Sequence, residues 1–137
     1  MAEISRYCIP YTPFTGKLES SRVGLVSTTG VHLKTQPAFV LAGDNTLRMI
    51  PADAAPEQLS ISHEHYDYSD ATRDINCVFP VGILRELVAE GRIGSTTQEH
   101  IGMGFSQAMR EIREKTSVEI ASLIRRLKAD AVLLTAG

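Results

Sequence analysis

The sequence is short of the features that mark several protein classes. Among 137 residues only Cys8 and Cys77 are cysteine, tryptophan is missing, and aromatic residues make up 6%. Two cysteines so far apart form neither a disulfide framework nor a metal-ligand spacing. No apolar run approaches the ~18–20 residues of a membrane-crossing helix, so no membrane partner is expected. Positive charge is not in excess either: 14 Lys and Arg face 16 Asp and Glu, for a net charge of −2. Nothing there would hold a phosphate backbone, which argues against nucleic acid as a partner. The opening MAEISRYCIP lacks the basic-then-apolar order of an export signal, which predicts a cytoplasmic protein. Repeats and low-complexity tracts are also missing. What is present is ordinary for one globular domain of ~100–150 residues. Its 43% hydrophobic content and near-balanced charge exclude disorder for the bulk of the chain.

Pro10, Pro13 and Gly16 interrupt residues 1–20, predicting an extended N-terminal arm. Residues 21–137 then read as one α/β domain or as the N-terminal part of a longer subunit. VGLVST (Val23–Thr28) and AVLLT (Ala131–Thr135) are nearly continuous apolar runs, the pattern of strands buried on both faces of a parallel sheet. Ahead of the second run, Val118, Ile120, Ala121, Ile124 and Leu127 recur at helical spacing while Arg125, Arg126 and Lys128 face outward. Short strands are expected at Leu47–Ile50, stopped by Pro51, and at Leu59–Ser62, running toward His63. Pro80 opens a helix with an apolar stripe of Ile83, Leu84, Leu87 and Val88, ended by Gly91. Residues 95–106, rich in Gly and Thr, read as a loop, followed by a helical turn or two over 107–113. The expected fold is α/β: an open, mainly parallel sheet with flanking helices, Rossmann-like or flavodoxin-like in three layers, stopping after a C-terminal strand.

Ligands of such sheets bind beyond the carboxyl ends of the strands. Three stretches lie there. Ser27-Thr28-Thr29-Gly30-Val31-His32 offers hydroxyls and a glycine that lets backbone approach an anion, without a Walker or GxGxxG pattern. His63-Glu64-His65-Tyr66-Asp67 places two imidazoles on one face of a strand, a spacing that suits one metal ion or a proton-transfer pair. The HxHxD pattern also resembles the start of the metallo-β-lactamase motif, but Tyr68 stands where that motif has histidine. Thr135-Ala136-Gly137 is the third stretch. A metal-dependent hydrolase or oxygenase would need His32 or His100 beside His63 and His65. A non-catalytic assembly module would associate through an unfinished sheet edge. Cys77 is expected to be a buried structural thiol.

Six blocks occur in a telling order: VGLVSTTGVHLK (23–34), Gly43-Asp44 with Arg48–Pro51, SHEHYD (62–67), RDINCVFP (73–80), LREL (84–87) with Gly91, Ile93 and Gly94, and DAVLLT (130–135). Together they resemble the selenoprotein B family of the glycine, sarcosine, betaine and D-proline reductases, the D-proline branch above all, over roughly residues 9–137. The resemblance implies an oxidoreductase subunit that cleaves a C–N bond next to a carboxylate in an amino acid or amine. A selenocysteine or cysteine directly after the strand Ala131–Thr135 would be its nucleophile, and that residue is not in this chain. A partner subunit would supply a pyruvoyl group, in a homo- or hetero-oligomer, with no cofactor bound by this chain and no activity from it alone. In that scheme Ser27, Thr28, Thr29, Gly30, Thr135 and Gly137 would bind substrate or the partner's loop, and Asn76 would hold its own loop. His32, His63 and His65 would handle protons, with Asp67 and Asp74 orienting them.

Overall fold

The computed structural model describes residues 12–136; positions 1–11 of the expected arm and Gly137 lie outside the described residues. Residues 12–20 are exposed and contain a single 3-10 turn, Leu18–Ser20. The Gly94 N–H ties that turn to the domain through Leu18 O at 2.9 Å.

β1 (Arg22–Ser27) is the centre of the sheet, and five of its six residues are buried. β7 (Ala131–Thr135) runs parallel along its whole length, from Val23 opposite Ala131 to Ser27 opposite Thr135. Along the other edge, β5 (Ser95–Thr96) and β6 (Glu99–Met103) meet β1 in turn, both parallel. Two residues of β1 separate these pairings against four of the partner, so Thr97 and Gln98 bulge. The ladder hydrogen bond lost there is replaced by a side chain: the Leu25 N–H donates to His100 Nδ1 at 3.3 Å. β3 (Leu47–Pro51) adds antiparallel to β6 and closes that side, making the sheet mixed but mostly parallel.

β2 (Val31–Leu33) and β4 (Leu59–Ile61) form a separate antiparallel pair beyond the end of β1. Two glycines let the layers meet. A Cβ on Gly102 would strike the Val31 carbonyl oxygen, and Gly30, at φ +76°, places its own against the Ser62 carbonyl. α1 (Ser69–Arg73) and α2 (Val81–Ala89) follow. Asn76 Oδ1 accepts from the Gly82 and Ile83 N–H groups at 2.9 and 3.3 Å and so caps α2. α3 (Met109–Glu111) runs through a π-helical turn, Ile112–Thr116, into α4 (Ser117–Arg126). No helix among the described residues is long and apolar enough to cross a membrane. The main core gathers Leu25, Val31, Ile50, Phe79, Val81 and Leu84 between β1, β2, β3 and α2.

The open α/β sheet with flanking helices agrees with the sequence reading, and four local expectations need correction. Residues 95–106 contain β5 and β6 rather than only loop, because Gly102 serves close backbone packing inside a strand. β7 is not buried on both faces: Val132, Leu133 and Leu134 are 37%, 40% and 72% exposed. α4 buries none of its residues, and Val118 of the expected apolar stripe is exposed. Cys77 is exposed, on the 3-10 turn Ile75–Cys77, rather than a buried thiol.

Candidate functional site

Beyond the carboxyl ends of β1, β6 and β7 lies a cavity of about 650 Å³. Val26, Thr28, Met103, Leu134 and Thr135 form its strand-end wall, and Ile112, Ser117 and Ile120 its helical wall. His63, His65, Phe105 and Ser106 close a third side. The strand-end rule therefore places the cavity where the sequence directed attention. A second cleft of about 530 Å³, between the β2–β4 pair and α1, touches none of the sequence-predicted site residues.

His63 is the most constrained group in the cavity wall. It is 6% exposed, and its Nδ1 accepts from the His65 backbone N–H at 3.1 Å. The neutral ring consequently carries its proton on Nε2, the nitrogen left for the cavity. Burial, and then the neighbouring His65 charge, push its pKa below the ordinary histidine value, against an opposing pull from Glu64. His63 is thus a neutral N–H donor at pH 7. His65 is exposed and stacks on Phe105, with ring centroids 3.6 Å apart and planes 16° from parallel. Phe105 and Tyr66 both meet His63 edge-on, at 5.6 and 4.6 Å.

The histidine loop is pinned to the β1–β2 turn. The Tyr66 hydroxyl donates to Thr29 O at 3.0 Å, and burial raises its pKa. The Ser62 N–H donates to Gly30 O, and the Gly30 N–H to Met103 O. Three strand ends and the loop thereby hold one geometry, which is what a reactive site needs of its scaffold.

Of the sequence-predicted residues, Thr28, His63, His65 and Thr135 come together in the cavity. Ser27 and Thr29 are fully buried and bond each other at 2.6 Å, supporting the turn from beneath. Thr135 also donates to Val78 O at 2.7 Å, and Ser27 Oγ reaches the same carbonyl at 3.3 Å. His32 points away from the cavity: its Nδ1–H bonds Leu33 O, and its Nε2 accepts from Ser62 Oγ. Neither aspartate touches an imidazole. Asp67 accepts from the Ser69 N–H at the start of α1, which lowers its pKa. Asp74 accepts from the Asn76 backbone and side-chain N–H groups. Asn76 holds its loop, as expected, by bracing the start of α2.

Histidine 100 sits in the core beneath the bulge, away from His63, and among the described residues no cluster of three His, Cys, Asp or Glu could hold a metal ion. Phe105, Tyr66 and the helical wall were not anticipated as site residues. Recognising β6 would have found Phe105, which lies two residues past the end of that strand.

These features define a strand-end site of an open α/β protein. Its wall offers a neutral imidazole N–H and the hydroxyls of Thr28, Ser106, Ser117 and Thr135, with no Asp, Glu, Lys or Arg among its residues. Residues 8–137 match the family described as glycine/sarcosine/betaine reductase selenoprotein B, and the chain belongs to that family. It is 42% identical over 128 residues to the D-proline reductase subunit gamma of Acetoanaerobium sticklandii, covering 93% of this chain and 53% of that subunit. It is 28% and 29% identical to the glycine reductase complex component B subunit gamma of Carboxydothermus hydrogenoformans and of Symbiobacterium thermophilum. Those matches cover 93% of this chain but 30% and 31% of the relatives. The chain thus spans about half or less of the length of the curated relatives it matches. No solved structure gives a significant match.

Proposed function

We propose that this chain supplies the strand-end platform of a reductase B-type subunit of the D-proline reductase kind. The complex would reductively cleave a C–N bond beside the carboxylate of an amino acid or amine. The family name supports a selenocysteine in the complete subunit, outside these 137 residues; with a pyruvoyl group on a partner subunit, it would supply the nucleophile and the electrophilic carbon. The cavity wall suits such a nucleophile, since the Thr28 and Ser106 hydroxyls and a neutral N–H favour a selenolate or thiolate while no carboxylate opposes it.

Within this reading the neutral His63 holds the departing nitrogen by a hydrogen bond from its Nε2–H, while the proton that nitrogen takes up comes from solvent on the exposed His65 side. Thr28 orients the carboxylate or the partner's loop, while Thr135, its hydroxyl proton held by Val78 O, positions the end of β7. Ser27, Thr29 and Gly30 set the turn that carries Thr28, and Asn76 and Asp74 fix the start of α2. His32 and Asp67 hold the scaffold. The observation that carries the reading is His63, buried and tautomer-fixed, beside the end of β7. The test is turnover of the complex isolated with a His63→Phe subunit, which keeps the ring's bulk and removes the N–H. Loss of this hydrogen-bond donor is expected to lower kcat about 100-fold, with assembly unchanged; unchanged kcat would overturn the assignment.

A further inference from the structure

The two outer edges of the main sheet are built differently. β3 ends in Pro51, its Met49 carbonyl accepts from Gln36 Nε2 at 2.8 Å, and Arg48 lies 4.4 Å over the Phe39 ring. Each is a device that stops a strand edge from recruiting another chain. β7 has none: its five residues are AVLLT, without charge, proline or bulge. Its register turns the N–H and C=O groups of Ala131, Leu133 and Thr135 toward β1 and leaves those of Val132 and Leu134 pointing outward. Both faces are open as well, since Val132 and Leu134 on one side and Leu133 on the other are all exposed. Val118 of α4 adds a further exposed apolar side chain, at 62%.

We infer that the outer edge of β7 is an interface for one further parallel, apolar strand, supplied by the same subunit's polypeptide outside these 137 residues. Every partner of β1 is parallel, and parallel neighbours need a crossover of a dozen or more residues, which is ordinarily part of one chain. The matched D-proline reductase subunit has the length for it, since the match covers 53% of it. Because Leu134 also lines the strand-end cavity, the added strand and its crossover would close that cavity's open flank.

The inference rests on the proposed reading that this stretch is part of a larger B-type subunit. Its test is residue-resolved amide exchange on the subunit isolated from its host, with an intact mass of the same sample. Leu133, bonded to β1, is the internal reference. Paired on their outer side, the Val132 and Leu134 amides are expected to exchange within about tenfold of Leu133, at any protein concentration. Exchange about 100-fold faster than Leu133 would overturn the inference, and so would protection that vanishes on dilution, which marks a second copy as the occupant. A subunit mass matching 137 residues would overturn the inference and the functional reading together. Protected amides in a heavier subunit without reductase activity would uphold the edge and sink the activity.

Discussion

The two halves of this molecule differ in finish. On one side β1, β2, β3, β6 and α2 enclose Leu25, Val31, Ile50, Phe79 and Val81, each at most 1% exposed. On the other side α4 has no buried residue, and β7 shows three consecutive apolar side chains to solvent. The closed half holds the fold, while the open half bears the cavity. The difference sets the packed core apart from the candidate site: the histidine loop is anchored on the packed side and faces the loosely packed one.

That contrast can be broken by mutation. Phe79→Ala, at a fully buried site, is expected to cost about 3–5 kcal/mol, read as a lower urea midpoint. A loss below about 1 kcal/mol would mean the closed half is not the stabilising one.

Acid should strike the same half next. His100 is fully buried, its Nε2 has no partner, and burial followed by the nearby Arg85 charge lowers its pKa to about 4. In the unfolded chain the same ring titrates near its ordinary value of 6.5. Between these values the unfolded state binds more protons, so stability falls as pH drops through 6.5 and levels off below about 4. The loss is on the order of 3 kcal/mol, measurable as urea midpoints from pH 7.5 to 4, and it should vanish in His100→Gln.

A smaller effect sharpens the boundary between the halves. Tyr66→Phe removes the bond to Thr29 O and should cost about 1 kcal/mol, while loosening His63 enough to change its imidazole nitrogen NMR signals. Smallest of all, Leu134→Ala in the 137-residue chain should shift stability by less than about 0.5 kcal/mol, because that side chain is already 72% exposed.

Much of the closed half was legible in the sequence. The apolar run of β1, the proline-opened α2 with Gly91 after it, and β3 stopped at Pro51 all follow from local patterning. β6 escaped because Gly102 and Gly104 look like loop residues, whereas Gly102 is a strand position chosen for contact with the Val31 backbone. β7 was legible as a strand, but its burial was not, since an apolar run tells what a strand prefers to touch and not whether it is touched.

At the site, strand-end logic found His63, His65, Thr28 and Thr135. It could not tell which hydroxyls turn inward, so Ser27 and Thr29 prove to be supports under the turn. His32 escaped the cavity because its two ring nitrogens are both used in the β2–β4 layer. Asp67 and Asp74 look catalytic beside histidines in sequence, yet both serve backbone N–H groups at the starts of helical turns. Phe105 belongs to no motif and becomes visible only when β6 brings it under His65.

The measurement that tests the account most directly is the intact mass and selenium content of the native subunit containing this sequence. The account predicts a species heavier than 15.0 kDa that carries selenium. A native protein of 15.0 kDa without selenium would contradict it, and the strand-end cavity would then have to work without the proposed nucleophile.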